Sequence, residues 1–301
     1  MAGIRVRMYR VGFGDCFLVT LTDDARQSHH ILVDCGVHHL GKAGTMDQVV
    51  DDIQRETGSR LALVVATHSH EDHISGFGSN ASQFNQIRAR EVWMPWVEDP
   101  SDAQAQSYRK QEQAMLLHLE SHAALWANDE RENAARAALL NLRGNAKAMD
   151  TLRRGFGGAQ VRYLQATDRP IDNAAGIPGL KVTVLGPPRD EAFLTAEDPP
   201  SDDRFFRAAG SSPAGDGRAA TPFAEHYRHK ADRDLDGYVT EPDKTLVKDI
   251  LDDDVFLAFR LEKKKNNTSL VLLLEFAGHR LLFPGDAQYG SWDSWRNRPD
   301  R

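Results

Sequence analysis

Residues 61–73 read LALVVATHSHEDH, and this stretch carries the strongest signal in the sequence. Its first six residues are continuously apolar, which is typical of a strand that is covered on both faces. His68, His70, Asp72 and His73 follow in the pattern HxHxDH. A strand end places His68 and His70 on one side, and the turn that follows swings Asp72 and His73 toward an adjacent point. The pattern therefore predicts two neighbouring metal positions served by one short loop.

Imidazole and carboxylate ligands without a thiolate suit Zn²⁺, Mn²⁺ or iron, and the residue types do not choose among these metals. Two metals that share a carboxylate can bridge a water and lower its pKa toward neutrality, so that hydroxide is available at pH 7. This is hydrolytic chemistry, with Asp72 as the residue that holds and orients the nucleophilic water.

Short apolar segments and one helix surround the loop. Thr45 and Gln48 have the spacing of a capping box, the segment after them has one apolar face, and Gly58 stands where a helix would end. Strand followed by helix and strand indicates a layered α/β architecture. Further predicted strands are residues 4–11, 16–21, 31–33, 91–97, 161–164, 181–185, 255–261, 269–276 and 280–283.

The chain resembles the metallo-β-lactamase-fold hydrolases, and more closely their ComEC-like branch. The resemblance extends in family order from residue 4 to residue 287. Beside the HxHxDH loop, the matching pieces are Gly12-Phe13-Gly14-Asp15-Cys16, Val33-Asp34-Cys35-Gly36, Val184-Leu185-Gly186-Pro187-Pro188, Asn266 to Val271 and Leu282 to Ala287.

The resemblance implies a four-layer αββα sandwich with two divalent metal ions, Zn or Mn, at one edge between the sheets. It also implies His68 and His70 on the first metal, Asp72 and His73 on the second, Asp286 bridging both, and Asp34 buried behind the site as an orienting residue.

Two ligands that are common in the superfamily are replaced or missing. Asn267 stands where a third histidine of the first site is usual, although the Asn-Asn-x-Ser context that ends at Ser269 resembles the ComEC-like branch. Asn267 and Ser269 are thus candidates for a weak ligand or a substrate contact. A final strand and helix, with the histidine that completes the second site, are expected to be lacking before Arg301, which predicts an incomplete second site.

Other polar clusters offer weaker candidates. His38 and His39 follow the Asp34 corner and could contact substrate or fill a vacant metal position, with a solvated loop as the alternative. A second motif opens like a calcium-binding EF-hand loop, for which an Asp/Gly turn in a mobile insertion is the competing interpretation. Its candidate ligands are Asp232, Asp234, Asp236 and Asp243.

The substrate is expected to be a phosphodiester, either a nucleic acid or a nucleotide. Three lysines, Lys263 to Lys265, lie two residues before Asn267 and would favour a phosphate at the metal edge. Hydrolysis of a thioester, lactone or β-lactam on the same site is one alternative. A truncated, non-catalytic protein that binds metal or a partner is the other.

The composition bounds the remaining possibilities. A formal charge of −7 over 301 residues argues against non-specific coating of nucleic acid, and no apolar run is long enough to span a bilayer. Two cysteines and an N-terminus interrupted by arginines favour a cytoplasmic protein without a disulfide framework. No membrane partner is expected, and the sequence specifies no protein partner. Residues 1–301 are predicted to form one domain, with a helical insertion at about 101–154 and a polar, partly mobile insertion at about 189–254.

Overall fold

The computed structural model describes residues 2–38, 44–123, 146–167, 169–196 and 265–296. Within these residues, six strands form one sheet in chain order: β1 (Gly3–Met8), β2 (Cys16–Thr22), β3 (Ser28–Cys35), β4 (Arg60–Val65), β5 (Arg88–Pro95) and β6 (Gln160–Leu164). A second sheet has the spatial order β10, β9, β8, β7 and consists of β7 (Ile171–Asp172), β8 (Lys181–Gly186), β9 (Val271–Phe276) and β10 (His279–Phe283). The predicted strand at residues 255–261 lies outside the described residues.

The described helices lie between and beside these strands. They are α1 (Met46–Thr57), α2 (Glu71–Ser79), α3 (Ala81–Phe84), α4 (Ala103–Ala123), α5 (Ala146–Arg154), α6 (Glu191–Thr195) and α7 (Tyr289–Arg296), with 3₁₀ turns at Trp96–Glu98 and Ala174–Gly176. None of the helices in the described part of the chain is both long and apolar enough to cross a membrane.

Helix α1 begins and ends as its sequence predicts. The Thr45 hydroxyl accepts a hydrogen bond from the Gln48 backbone N–H at 3.3 Å, and the Gln48 side chain accepts one from the Thr45 N–H at 3.1 Å. Gly58 closes the helix with φ +58°, a left-handed conformation that glycine adopts without steric cost. The capping box and the helix end are therefore confirmed.

The two sheets pack face to face, and helices cover their outer faces. Strand residues such as Val33 and Val65 meet Val184 and Leu272 of the second sheet in one buried cluster. On the other face of the first sheet, helices α1, α2 and α5 supply a second apolar cluster. Helix α7 covers the second sheet through Trp295, which packs with Leu185 and Val271. This order of layers confirms the predicted αββα sandwich.

Strands β3 to β6 run parallel, so their carboxyl ends lie at one edge of the first sheet. The loop at Thr67–His73 begins at this edge, directly after β4. The backbone N–H of Leu270 donates to the Thr67 carbonyl at 2.7 Å, which ties the start of the second sheet to the same loop. The edge between the sheets is therefore where residues from distant segments meet.

Cys16 and Cys35 are opposite each other on β2 and β3, and both are fully buried as free thiols. The interpretation of the two cysteines as small core residues on neighbouring strands is confirmed. Of the two predicted insertions, residues 101–154 include α4 and α5, while most of residues 189–254 lies outside the described part of the chain. The organisation as one domain with two insertions stays a prediction.

Candidate metal centre

Three histidines of the HxHxDH loop are buried at the edge between the sheets. His68, His70 and His73 are 1%, 4% and 2% exposed. His70 precedes the first residue of α2, so that Asp72 and His73 lie in the first helical turn. A strand end followed at once by a helix start thus brings the loop's ligand-type side chains to one place.

The first candidate metal group consists of His68, His70 and Asp286. One donor atom from each of these residues lies within 4.8 Å of those of the other two. Nε2 of His68 is 2.9 Å from Nδ1 of His70. The structure therefore brings together the residues that were predicted to share the first metal, including the proposed bridging aspartate.

The hydrogen bonds around Thr67 determine which nitrogen of His68 is available. The Thr67 hydroxyl donates to Oδ2 of Asp34 at 2.7 Å and lies 3.1 Å from Nδ1 of His68. Because its proton is given to Asp34, the Thr67 oxygen can accept one from Nδ1–H of His68. This tautomer leaves the lone pair on Nε2, which is the form that binds a metal.

The second candidate group consists of Asp15, His73 and Asp286, whose donor atoms also lie within 4.8 Å of one another. Nε2 of His73 is 3.2 Å from Oδ1 of Asp286 and 3.8 Å from Oδ2 of Asp72. Asp286 thus belongs to both groups, as a bridging residue must. Asp72, predicted to bind the second metal, belongs to neither group among the described residues, and its ligand role stays a prediction. Asp15 was not among the predicted ligands. Its only signal in the sequence was the Gly-Phe-Gly-Asp-Cys motif.

Asp34 lies behind the second group, as the resemblance implied. One of its oxygens accepts the Thr67 N–H at 2.7 Å, and the other accepts the hydrogen bond from Nδ1 of His73 at 2.9 Å. The carboxylate is 2% exposed, and the Asp34 backbone has φ +54°, in the left-handed region that aspartate tolerates better than most residues. This backbone conformation directs the buried Asp34 carboxylate toward both Thr67 and His73.

Two buried histidines of the loop, His68 and His73, have pKa values that differ strongly from the ordinary value of histidine. Burial lowers the pKa of His68 well below its ordinary value, and the charges of His73, His70 and Lys265 lower it further. Burial would also lower the pKa of His73, but hydrogen bonds to Asp286 and Asp34 raise it to about 11. His68 is therefore neutral at pH 7, and His73 carries a proton when no metal competes for the ring.

The pKa values of the carboxylates in the site are shifted in different directions. Burial raises the pKa of Asp15 and of Asp72, since the nearby charge of His73 offsets only part of this effect. Burial acts in the same direction on Asp286, but the hydrogen bond and charge of His73 lower its pKa overall. Several carboxylates thus converge around one imidazolium, and this excess of negative charge fits one or more divalent cations.

Asn267 and Ser269 hold the backbone near the two groups. The Asn267 side chain donates to the Ala196 carbonyl at 2.8 Å and accepts from the Gln288 N–H at 3.0 Å. Oγ of Ser269 accepts from the Asp286 N–H at 3.2 Å and lies 3.4 Å from Nδ1 of His68. Both polar atoms of the Asn267 amide therefore have protein partners, and Ser269 links His68 and Asp286, two of the three residues of the first group. Their roles as weak ligands or substrate contacts stay predictions.

The remaining predicted residues lie at the rim or outside the described chain. His38 is exposed, and its Nδ1 is 3.3 Å from Oε2 of Glu71, next to the loop. His39 and the candidate calcium ligands Asp232, Asp234, Asp236 and Asp243 lie outside the described residues.

Residues 9–126 match the family model of the metallo-beta-lactamase superfamily, which is less than half of the chain. No curated protein matches the sequence. The matched region contains the HxHxDH loop and Asp15, while Asp286 lies beyond it. The donor sets fit divalent metal ions, because neutral imidazole and carboxylate are their usual protein ligands. Family match, αββα fold and clustered ligands together support placement in the metallo-beta-lactamase superfamily and, in general, a metal-dependent hydrolase.

Proposed function

We propose that this protein hydrolyses phosphodiesters, in a nucleic acid or a nucleotide, with two Zn²⁺ or Mn²⁺ ions, and that it belongs to the ComEC-like branch. The observation that carries the choice of substrate is the position of Lys265. This half-buried lysine is four residues before Ser269, its carbonyl accepts from the Thr268 N–H at 2.9 Å, and its charge acts on His68 of the first metal group. A cation at this place favours an anionic substrate over a neutral one.

The residues around the two groups have separable tasks in such a reaction. Divalent ions held there would lower the pKa of a bound water and polarise the phosphoryl oxygen. Asp72 would accept a proton from the attacking water. The position of its carboxylate near His73 and the raised pKa that burial gives it support this role. Lys265 would bind a phosphate oxygen and balance the charge that develops on it.

A panel of substrates tests this proposal. The full chain, loaded with Zn²⁺ or Mn²⁺, should cleave bis(4-nitrophenyl) phosphate and a dinucleotide faster than a thioester, a lactone or a β-lactam. Preference for one of the neutral substrates would replace phosphodiesterase activity with that class. Metal binding without turnover of any substrate would favour a non-catalytic binding protein.

Two lysine variants test whether a positive charge near the metal groups, rather than any positive charge of the protein, favours the phosphodiester. Lys265→Ala should raise KM for the phosphodiester about tenfold, as expected for loss of one charge-assisted contact of roughly 1.5 kcal/mol. Lys181→Ala is the matched control, since Lys181 pairs with Glu275 at the end of β9 that is remote from Ser269. Equal effects of the two substitutions would remove the argument for an anionic substrate.

A further inference from the structure

We infer that Asp15 is a ligand of the second metal ion, together with His73 and Asp286. This inference rests on the metal-dependent function proposed above and specifies which residues build its second site. The resemblance to known hydrolases assigned no role to Asp15, and the HxHxDH pattern does not include it.

The position of the Asp15 carboxylate is the first argument. Its donor atom lies within 4.8 Å of donor atoms of His73 and Asp286, and Oδ2 is 3.9 Å from Nδ1 of His73. Nδ1 of His73 is held by Asp34, so Nε2, at 3.2 Å from Oδ1 of Asp286, is the nitrogen left for an ion. The Asp15 carboxylate is too far from the His73 ring for a hydrogen bond, but it is near enough to share an ion with the ring, because ligands that each lie about 2.1 Å from a metal are typically 3 to 4 Å apart.

A merely orienting role for Asp15 does not account for this geometry. Asp34 already accepts the hydrogen bond from Nδ1 of His73 at 2.9 Å. No hydrogen bond reaches the Asp15 carboxylate from any side chain or backbone group in the described part of the chain. The side chain is about one-third exposed, so solvent reaches it at the edge between the sheets. An anion so placed can still bind a ligand from solution.

The backbone holds Asp15 rigidly against the metal loop. Its N–H donates to the Asp72 carbonyl at 2.9 Å, and its own carbonyl accepts from the Gly36 N–H at 3.0 Å. A Cβ at Gly14 would lie 2.4 Å from the Gly36 carbonyl oxygen, and a Cβ at Gly36 would lie 2.4 Å from the Asp72 carbonyl carbon. The backbone segments at Gly14, Gly36 and Asp72 therefore meet at a contact that only glycine permits. This contact fixes the position of the Asp15 backbone.

The excess of negative charge around His73 also supports Asp15 as a metal ligand. Asp15, Asp34, Asp72 and Asp286 all lie near the His73 ring, which can carry at most one positive charge. A divalent ion between Asp15, His73 and Asp286 would compensate the excess where the carboxylates converge.

Metal titrations of the full chain test the assignment without relying on activity. Wild-type protein should bind about two equivalents of Zn²⁺ by calorimetry and elemental analysis. Asp15→Asn keeps the size of the side chain and both backbone hydrogen bonds, so the fold should be retained. We expect one site to keep its affinity and the other to weaken by at least the roughly 10- to 100-fold that loss of an outer partner costs. Asp24→Asn, at the opposite end of β2, is the matched control and should bind as wild type does.

A spectroscopic variant supplies a direct signature. Asp15→Cys loaded with Co²⁺ should show a thiolate-to-cobalt charge-transfer band, whereas wild type and Asp24→Cys should not. Two unchanged sites in Asp15→Asn, together with no band in Asp15→Cys, would overturn the role of Asp15 and leave the proposed function standing. Failure of wild-type protein to bind any metal would overturn both.

Discussion

Oδ2 of Asp34 lies 2.9 Å from Nδ1 of His73 and 2.7 Å from the hydroxyl of Thr67. This one buried oxygen orients the second metal group through the imidazole and the first through Thr67 and His68. Since Nδ1 of His73 is taken by Asp34, Nε2 of the same ring faces Asp286. The Asp34 carboxylate therefore orients His68 and His73, although Asp34 itself belongs to neither candidate metal group.

Asp34→Asn should weaken metal binding at both groups. An amide presents one oxygen where the carboxylate presents two, so it cannot accept from the Thr67 backbone and also from Thr67 Oγ1 and His73. We expect the metal affinity to fall about 10- to 100-fold, the usual effect of removing an outer partner. Competition with a chelator of known affinity measures this, and Asp47→Asn on the surface of α1 serves as control. Unchanged affinity would mean that Asp34 supports only the fold.

The stability of the metal-free protein should depend on the ionisation of His73. Its pKa is raised to about 11 in the folded chain and is near 6.5 when unfolded. The stabilisation is therefore complete below about pH 6.5 and is lost as the pH rises toward 11. Urea unfolding of chelator-treated protein at pH 6, 8 and 10 should show this decline in wild type. In His73→Gln the decline should be smaller, and parallel curves for both proteins would contradict the prediction.

Gly36→Ala should destabilise the fold and disturb the metal loop together. The added Cβ would lie 2.4 Å from a backbone carbon of Asp72, which cannot move without shifting α2. We expect a loss of about 2–3 kcal/mol in the free energy of unfolding, as for overpacking of a core. Gly3→Ala is the control, because a Cβ there meets nothing within 4 Å. Similar free energies of unfolding for the two variants in chemical denaturation would show that the metal loop can shift at little energetic cost.

Asp72→Asn should remove catalysis more than metal binding. If Asp72 accepts a proton from the attacking water, kcat for a phosphodiester falls about 10²- to 10⁴-fold. The number of metal ions bound at saturating concentration should stay the same, since neither of the two candidate metal groups includes this residue. Loss of an ion from Asp72→Asn would assign it a ligand role as well.

Local patterns in the sequence predicted much of this structure. The capping box at Thr45 and Gln48 acts within one turn of helix, and the apolar run before Thr67 has the length and composition of a buried strand. The HxHxDH loop could be recognised because its ligands are neighbours in the chain. Such features depend on short-range geometry. The structure confirms the helix cap and the strand, and it brings the side chains of the loop together, while their role as ligands stays a prediction.

Asp15 escaped prediction because its position depends on contacts between distant segments. The approach of Gly14 and Gly36 to Asp72 is a backbone contact across the fold, and no periodicity or spacing encodes it. The role of Asn267 as a weak ligand or a substrate contact stays a prediction. In the structure both polar atoms of its amide form hydrogen bonds with the backbone, at Ala196 and Gln288, which the sequence pattern does not reveal.

The buried thiols bear on which metals the site can select. Cys16 and Cys35 each follow an aspartate of the candidate metal centre, Asp15 or Asp34. Both thiols nevertheless pack in the core beneath the helices, where Sγ of Cys35 is 3.5 Å from the Met46 sulfur. Burial raises the pKa of Cys16 well above its ordinary value, so this thiol stays protonated and is a poor ligand. The donors offered to an ion are therefore nitrogen and oxygen, which discriminates against soft ions such as Cu(I) although sulfur lies one residue away.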